Sequence, residues 1–210
     1  MDNQTRLSKE IAHQNARKLL TEQFYWSEID EFSPFGNDDG SDAFYGFKEW
    51  RKSNLKTSPV KYVEQLIQSW QMPEFDLYSI DTTKIKNYLT QETKVNGMEE
   101  QMPALKEQMK KMAEDAGKKF DEEQFNQIMK MSTSGMGSRY LLGQDNAIIA
   151  TGFGQFVLEG RIDKDIQELT KISLQRQLLP ILIDSWDSSN KVYRAEVLNN
   201  MLQKIDKMNN

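Results

Sequence analysis

Cysteine is absent from this chain of 210 residues, and histidine occurs once, at His13. The missing cysteines exclude disulfides, thiolate nucleophiles and cysteine-based metal sites. A single histidine cannot build the common zinc sites that combine several histidines, and its neighbours Ala12 and Gln14 offer no proton relay. We therefore predict neither a cofactor nor a catalytic histidine.

Long apolar runs are also missing. The longest uncharged apolar run covers residues 146–158, which is too short to cross a bilayer. The first residues, MDNQTRLSKEIAH, contain no apolar stretch of the kind that a secretory signal needs. We therefore expect a soluble, cytoplasmic protein that does not associate with membranes.

Acidic residues outnumber basic ones, and the basic residues form no concentrated patch along the sequence. The chain carries 27 lysines and arginines against 32 acidic residues, a net charge of -5. General nucleic-acid binders gain affinity by neutralising phosphates with a concentrated basic patch. The composition therefore predicts no nucleic-acid partner.

The glycine-containing motifs of common enzymes are incomplete. Ser134 has Ser132 where a nucleophile elbow requires glycine. Gly117 precedes two lysines without the earlier glycine of a phosphate-binding loop. Gly152 and Gly154 lack the third glycine of a dinucleotide site. No reaction class is indicated by these motifs.

Apolar residues recur at helical spacing along most of the chain, and no alternation typical of strands persists. We predict an all-α bundle of about seven helices in one domain, 1–210, with little or no sheet. Helical stretches are expected at 5–23, 42–53, after Pro59, 81–92, 103–116, 121–131, 146–158, 163–178 and in the C-terminal stretch that ends near Met208.

Caps and breakers refine this prediction. Ser41 or Asp42 is expected to cap the helix at 42–53, and Ser58 the helix that begins with Pro59. Gly160 is expected to end a helix, and Pro180 is expected to kink or break one. We interpret Gly152 and Gly154 as points where neighbouring helices approach closely.

Residues 98–136 contain seven of the eleven methionines, interspersed with lysine and glutamate. We predict a methionine-rich helical section here, with residues 132–137 as a mobile connection. Methionine fills irregular gaps in cores and also forms adaptable partner surfaces. Both interpretations, and loose local order as a third, stay open for this section.

The most unusual stretch is residues 24–47, FYWSEIDEFSPFGNDDGSDAFYGF, which we call the acidic-aromatic segment. It holds eight aromatic residues and six carboxylates but no lysine or arginine. Aromatic side chains favour burial, whereas unpaired carboxylates resist it, so the segment is expected to be partly docked and partly exposed. A turn is expected at residues 33–40, which are rich in turn-forming residues.

Two blocks of the sequence resemble an uncharacterised bacterial family, the YfeS-like proteins. The first reads SPFGNDDG and continues as FKEWR, within residues 32–51, and the second reads AIIATGFGQFVLEG, residues 147–160, followed by RQLLP at 176–180. Family members are sometimes described as relatives of a molybdate regulator, which would imply DNA binding, but the charge of this chain opposes that. The family has no established activity, so the resemblance implies no catalytic residues.

From the acidic-aromatic segment we predict a non-catalytic protein-binding module, in its sharpest form an inhibitor or immunity-type protein that captures a basic partner. The acids would attract the partner and the aromatics would anchor it. The predicted partner-binding residues are Glu28, Asp30, Glu31, Phe32, Phe35, Asp38, Asp39, Asp42, Tyr45 and Trp50. A simpler interpretation is a loop that packs on itself.

The alternative function is a carboxylate- or metal-dependent hydrolase that uses the acidic loop at 38–42. Asn37, Asp39 and Gly40 fit the third, fifth and sixth positions of a calcium loop. Phe35 and Gly46, however, occupy the two positions where that loop requires anchoring carboxylates. These acids are also suited to capping the helix that follows.

Overall fold

A computed structural model describes residues 7–91, 98–133 and 136–209, without the side chains of 98–101 and 129–133. This part of the chain contains ten α-helices and one 3-10 helix, Gln23–Trp26, and no strand. The helices are α1 (Gln14–Leu19), α2 (Asp38–Ser53), α3 (Pro59–Ser69), α4 (Thr82–Thr90), α5 (Met98–Asp115), α6 (Glu122–Thr133), α7 (Met136–Glu159), α8 (Lys164–Gln177), α9 (Pro180–Ile183) and α10 (Ser188–Ile205).

The predicted all-α class is confirmed, but the described residues contain ten α-helices instead of about seven: the stretches expected from the sequence already number nine, and a break at a turn adds a further short helix. Pro180, for example, starts the four-residue α9 after α8 has ended at Gln177. Among the described residues, none of the helices combines the length and apolar character that a bilayer span requires.

Helix α7 is the centre of the fold. The helices α1, α2, α3, α4 and α8 all pack against it, and most of its side chains from Leu141 to Val157 are buried. Phe153 and Phe156 lie in the main core, and burying each such ring contributes roughly 1.5–3 kcal/mol. The apolar stretch at 146–158 was therefore correctly predicted to be a helix buried on most sides.

Two glycines of α7 allow this close packing, as predicted. A Cβ at Gly152 would collide with the Thr170 hydroxyl of α8, and one at Gly154 would lie 2.8 Å from the ring of Phe44 in α2. Gly160, with a φ of +68°, follows the end of α7. A left-handed residue of this kind ends a helix at little cost when it is glycine.

Several predicted boundaries need correction. Helix α7 begins at Met136 instead of 146, so the expected connection at 132–137 is largely helical, with Ser134 and Gly135 outside the described residues. Helix α5 begins at Met98, so Pro103 lies inside it instead of at its start.

The opening helix is much shorter than the predicted 5–23. It covers Gln14–Leu19, because the backbone N–H of His13 donates to the carbonyl of Val157 at 2.9 Å and the His13 side chain caps the helix. Residues 5–6 of that prediction lie outside the described residues.

Candidate functional site

The acidic-aromatic segment folds into the 3-10 helix, an ordered turn at residues 27–37 and the start of α2. The backbone N–H of Asp30 donates to Ser27 Oγ at 2.9 Å, and Ser33 Oγ donates to the Ser27 carbonyl at 2.7 Å. The Asn37 side chain also donates to the Glu31 carbonyl at 3.3 Å. The turn is thus fixed against the beginning of α2.

The cap of α2 differs from the prediction. Asn37 Oδ1 accepts a hydrogen bond from the backbone N–H of Gly40 at 2.8 Å, so the helix begins at Asp38 and not near residue 42. Ser41 and Asp42, the expected caps, lie inside the helix. Asp38 and Asp39 occupy its first turn, where the helix dipole favours negative charge.

Most of the predicted aromatic anchors pack toward the protein interior and hold the segment in place. Phe35 is 1% exposed and packs on Phe44, with 4.6 Å between ring centroids. Tyr45 and Trp50 are half-buried, and the Tyr45 hydroxyl donates to Glu28. Phe32, also half-buried, packs edge to face on Trp186. Phe35 is therefore a core residue and not a surface contact, which corrects the sequence-based expectation.

The carboxylates divide into two groups. Glu28, Glu31, Asp38 and Asp42 are exposed. Asp30 and Asp39 are half-buried; Asp30 accepts a hydrogen bond from the Tyr193 hydroxyl at 2.8 Å. Burial raises the pKa of Asp39, and the positive charge of Arg139 opposes that shift.

One exposed apolar side chain lies among these acids. Ile29 is 91% exposed at the tip of the turn, between Glu28 and Asp30. The sequence-based prediction did not include Ile29, because it considered aromatic anchors only. We call Glu28, Ile29, Glu31, Asp38 and Asp42 the acidic surface.

A second candidate site lies beneath this segment and was missed by the sequence-based prediction. Asp145 of α7 and Arg176 of α8 form a completely buried ion pair, with an Nε–Oδ1 distance of 3.1 Å. Arg176 also donates to the backbone carbonyls of Leu77 and Ser79, at 2.9 and 2.8 Å. The pair therefore joins two central helices to the loop between α3 and α4.

Arg194 of α10 is a second buried guanidinium, 4% exposed. Its Cζ lies 4.5 Å from the centroid of the Trp186 ring and 5.3 Å from that of Phe32. It donates a hydrogen bond to Gln177 Oε1. Burial lowers the pKa of Arg194 to about 10, an effect that Asp145 opposes, so the group is still a cation at neutral pH.

A cleft of about 50 Å³ adjoins these groups. We call it the arginine cleft; its lining includes Ser138, Leu142, Asp145, Gln177, Trp186 and Arg194. Gln177 is buried, and its Nε2 has no hydrogen-bond partner among the described residues. A void of about 10 Å³ on the other side of Gln177 and Arg194 reaches Phe32.

One sequence pattern could have revealed these arginines. Arg194 precedes Val197, Leu198 and Met201 at helical spacing, so it lies on the apolar face of α10. Arg176 likewise follows Leu169 by seven residues on α8. A charged residue on an apolar face is expected to be buried with a partner, although the sequence alone does not identify that partner.

The acidic loop predicted at 38–42 is instead the first turn of α2, and it supplies no ready metal site. Among the described residues, no group of three or more histidine, aspartate or glutamate side chains is arranged to hold a metal ion. Comparisons with protein-family models, curated proteins and solved structures each gave no match to the chain. The resemblance to YfeS-like proteins stays a prediction.

Proposed function

We propose that this chain is a non-catalytic protein-binding module, of the inhibitor or immunity type, which captures a basic protein partner on its acidic surface. The observation that carries the proposal is Ile29, which is 91% exposed amid carboxylates. An isolated exposed isoleucine needs no explanation, but one at the tip of an ordered turn with acids beside it suits a contact point.

The order of the turn supports this proposal. Binding costs free energy when a loop must become ordered, and a turn that is already fixed avoids most of that cost. The hydrogen bonds of Ser27, Ser33 and Asn37 hold the turn in place. Ile29 and the exposed acids are thereby presented on a preformed surface.

Charge defines the class of partner. Glu28, Glu31, Asp38 and Asp42 are exposed, and residues 24–47 contain no lysine or arginine. A field of one sign accelerates the approach of an oppositely charged protein and discourages partners of like charge. The partner is therefore expected to present lysines and arginines around a small apolar recess for Ile29.

The test is affinity capture from native lysate with the wild-type chain and the double variant Glu31→Lys/Asp38→Lys, with bound proteins identified by mass spectrometry. These two acids are exposed, so their reversal leaves the core unchanged. The matched control is Glu74→Lys/Glu168→Lys, which makes the same charge change at exposed positions outside the acidic surface.

We expect a basic protein to be retained by the wild type and the control, and to be lost with the double variant. Raising the salt concentration should weaken its capture, since exposed charges are screened. The proposal would be contradicted if all three baits captured the basic protein equally. It would also be contradicted if the control variant lost that protein to the same extent as the double variant.

A hydrolase that uses the acids of residues 38–42, at the start of α2, is the competing proposal, and one observation favours it. Burial raises the pKa of Asp39, while its neighbours Asp38 and Asp42 are exposed. Carboxyl groups with different environments are the usual acid and base of hydrolytic sites. Stoichiometric binding of Mg²⁺ or Ca²⁺, abolished by Asp38→Asn/Asp42→Asn, would favour this alternative over the binding module.

A further inference from the structure

We infer that the arginine cleft binds a small monocarboxylate, which Arg194 and Gln177 hold by its two oxygens. The cleft lies between α7, α8, α9 and α10, apart from the acidic surface. The proposal of a carboxylate site in this cleft does not depend on the proposed protein-binding function.

Unused hydrogen-bond donors point to an acceptor ligand. A guanidinium carries five N–H donors, and among the described residues the hydrogen bond found for Arg194 is the one to Gln177 Oε1. That bond fixes the Gln177 amide so that Nε2 is the remaining donor, and Nε2 is buried without a partner in the part of the chain that the structure describes. Both side chains line the cleft. A ligand that completes this site must therefore supply acceptors.

Charge indicates that the ligand is an anion. Asp145 is the carboxylate that lines the cleft, and it is already paired with Arg176. Asp145 also attracts Arg194, but one carboxylate faces two buried guanidinium groups, so this cluster keeps one net positive charge. Charges are rarely buried without a partner, and a ligand with a single negative charge would balance this one.

Geometry favours a planar, two-oxygen anion. The Arg194 guanidinium packs beside the rings of Trp186 and Phe32, with its Cζ 4.5 and 5.3 Å from their centroids, and the two rings also contact each other. Such contacts restrict the orientation of the guanidinium, whose planar edge keeps N–H groups that bond none of the described residues. An edge of this kind recognises carboxylates by two parallel hydrogen bonds.

Size and lining restrict the ligand further. About 10–15 Å³ of such space is enough for one water molecule, and the cleft has about 50 Å³, room for a ligand of a few non-hydrogen atoms. Leu142, Leu182 and Trp186 provide apolar walls for a short alkyl group, whereas the exposed Ser138 and Ser185 mark the entrance. Formate, acetate and propionate match these dimensions.

The experiment titrates the full chain with sodium acetate and sodium propionate by isothermal calorimetry, at constant ionic strength. Acetamide tests the need for charge, nitrate tests any planar anion, and chloride tests general salt effects. We expect saturable one-to-one binding of the carboxylates with a Kd on the order of 1 mM or tighter, and at least tenfold weaker binding of the other three.

Variants locate the binding. Gln177→Met keeps the volume but removes the amide, and Arg194→Lys keeps the charge but removes the planar edge; each should weaken acetate at least tenfold. The control, Lys191→Gln, removes an exposed cation of the same helix, which pairs with Asp184, and should bind acetate as the wild type does.

Absence of saturable acetate binding to the wild type would overturn the inference, even if a variant fails to fold. Equal binding of acetate and acetamide would overturn it as well, because the charge of Arg194 would then be irrelevant. Equal weakening in Lys191→Gln would overturn it by showing a nonspecific surface effect.

Discussion

Replacing Arg176 by methionine should lower the free energy of unfolding by about 3–5 kcal/mol, because it leaves Asp145 as an unpaired buried charge. Both side chains are fully buried, so no solvent is available to compensate. The carbonyls of Leu77 and Ser79 lose their donor too, and an unsatisfied buried acceptor costs about 1–3 kcal/mol. These two costs overlap, because the structure around the substitution partly relaxes. We therefore keep about 3–5 kcal/mol as the expected loss instead of adding the two costs.

The double variant Asp145→Leu/Arg176→Met isolates the interaction of the pair. Each single change destroys the same ion pair and leaves an uncompensated group, so the two costs are not additive. We expect Asp145→Leu to cost about 3 kcal/mol and the double variant to cost roughly 3 kcal/mol less than the sum of both single changes.

Urea unfolding followed by circular dichroism measures these differences, provided that the m value stays constant. The control is Lys52→Met, which removes an exposed ion pair with Glu49 and should cost less than about 0.5 kcal/mol. A loss below about 1 kcal/mol for Arg176→Met, or simple additivity in the double variant, would refute the argument that the buried pair fastens α7 to α8.

Two further predictions concern packing and acid stability. Gly152→Ala should cost about 1–3 kcal/mol, because its Cβ would collide with Thr170; an unchanged melting temperature would refute this. Burial alone would raise the pKa of Glu22, but hydrogen bonds from Lys204 and Asn200 lower it to about 2. Glu22 thus stabilises the fold above its ordinary pKa of 4.5, and the contribution disappears as the pH falls toward 2. Because its side chain is 40% exposed, screening limits the effect to about 1 kcal/mol or less. Glu22→Gln should lose stability at pH 7 but not at pH 2, and equal losses in pH-dependent urea unfolding would contradict the assignment.

Helices with an apolar stripe and a clear cap were predictable. Ser58 caps α3, accepting from the backbone N–H of Val60 at 3.1 Å, and Pro59 opens the helix as expected. The stop at Gly160 and the break at Pro180 were predicted for the same reason. In each case a residue within one turn determines the boundary, so local sequence contains the information.

Boundaries that depend on tertiary contacts were not predictable. A connection was predicted at 132–137 and a helix only from 146, yet Gly137 and Gly143 lie inside α7, where Gly137 faces the backbone of Tyr88 and Gly143 faces Asp39. Their absent side chains allow neighbouring segments to approach. Sequence alone does not distinguish a glycine that ends a helix from one that allows close packing.

The candidate sites likewise combine features that local sequence determines with features that tertiary contacts determine. The composition of residues 24–47 predicted a segment that is partly docked and partly exposed, and the structure has this form. Phe35 was placed on the surface because its burial depends on Phe44 and the core behind it. Arg176 and Arg194 were missed because the groups that surround them come from distant parts of the chain.

Phe32 connects the two proposed sites. Its ring packs on Trp186 and Tyr193 and lies over Arg194, while the neighbouring Asp30 accepts from Tyr193. A partner that displaces the turn at 27–33 would therefore change the wall behind Arg194, and a carboxylate that fixes Arg194 would stabilise the turn. Linkage makes such an effect reciprocal: the factor by which acetate changes partner affinity equals the factor by which the partner changes acetate affinity. A factor of one would mean that Phe32 keeps its position when either site is filled.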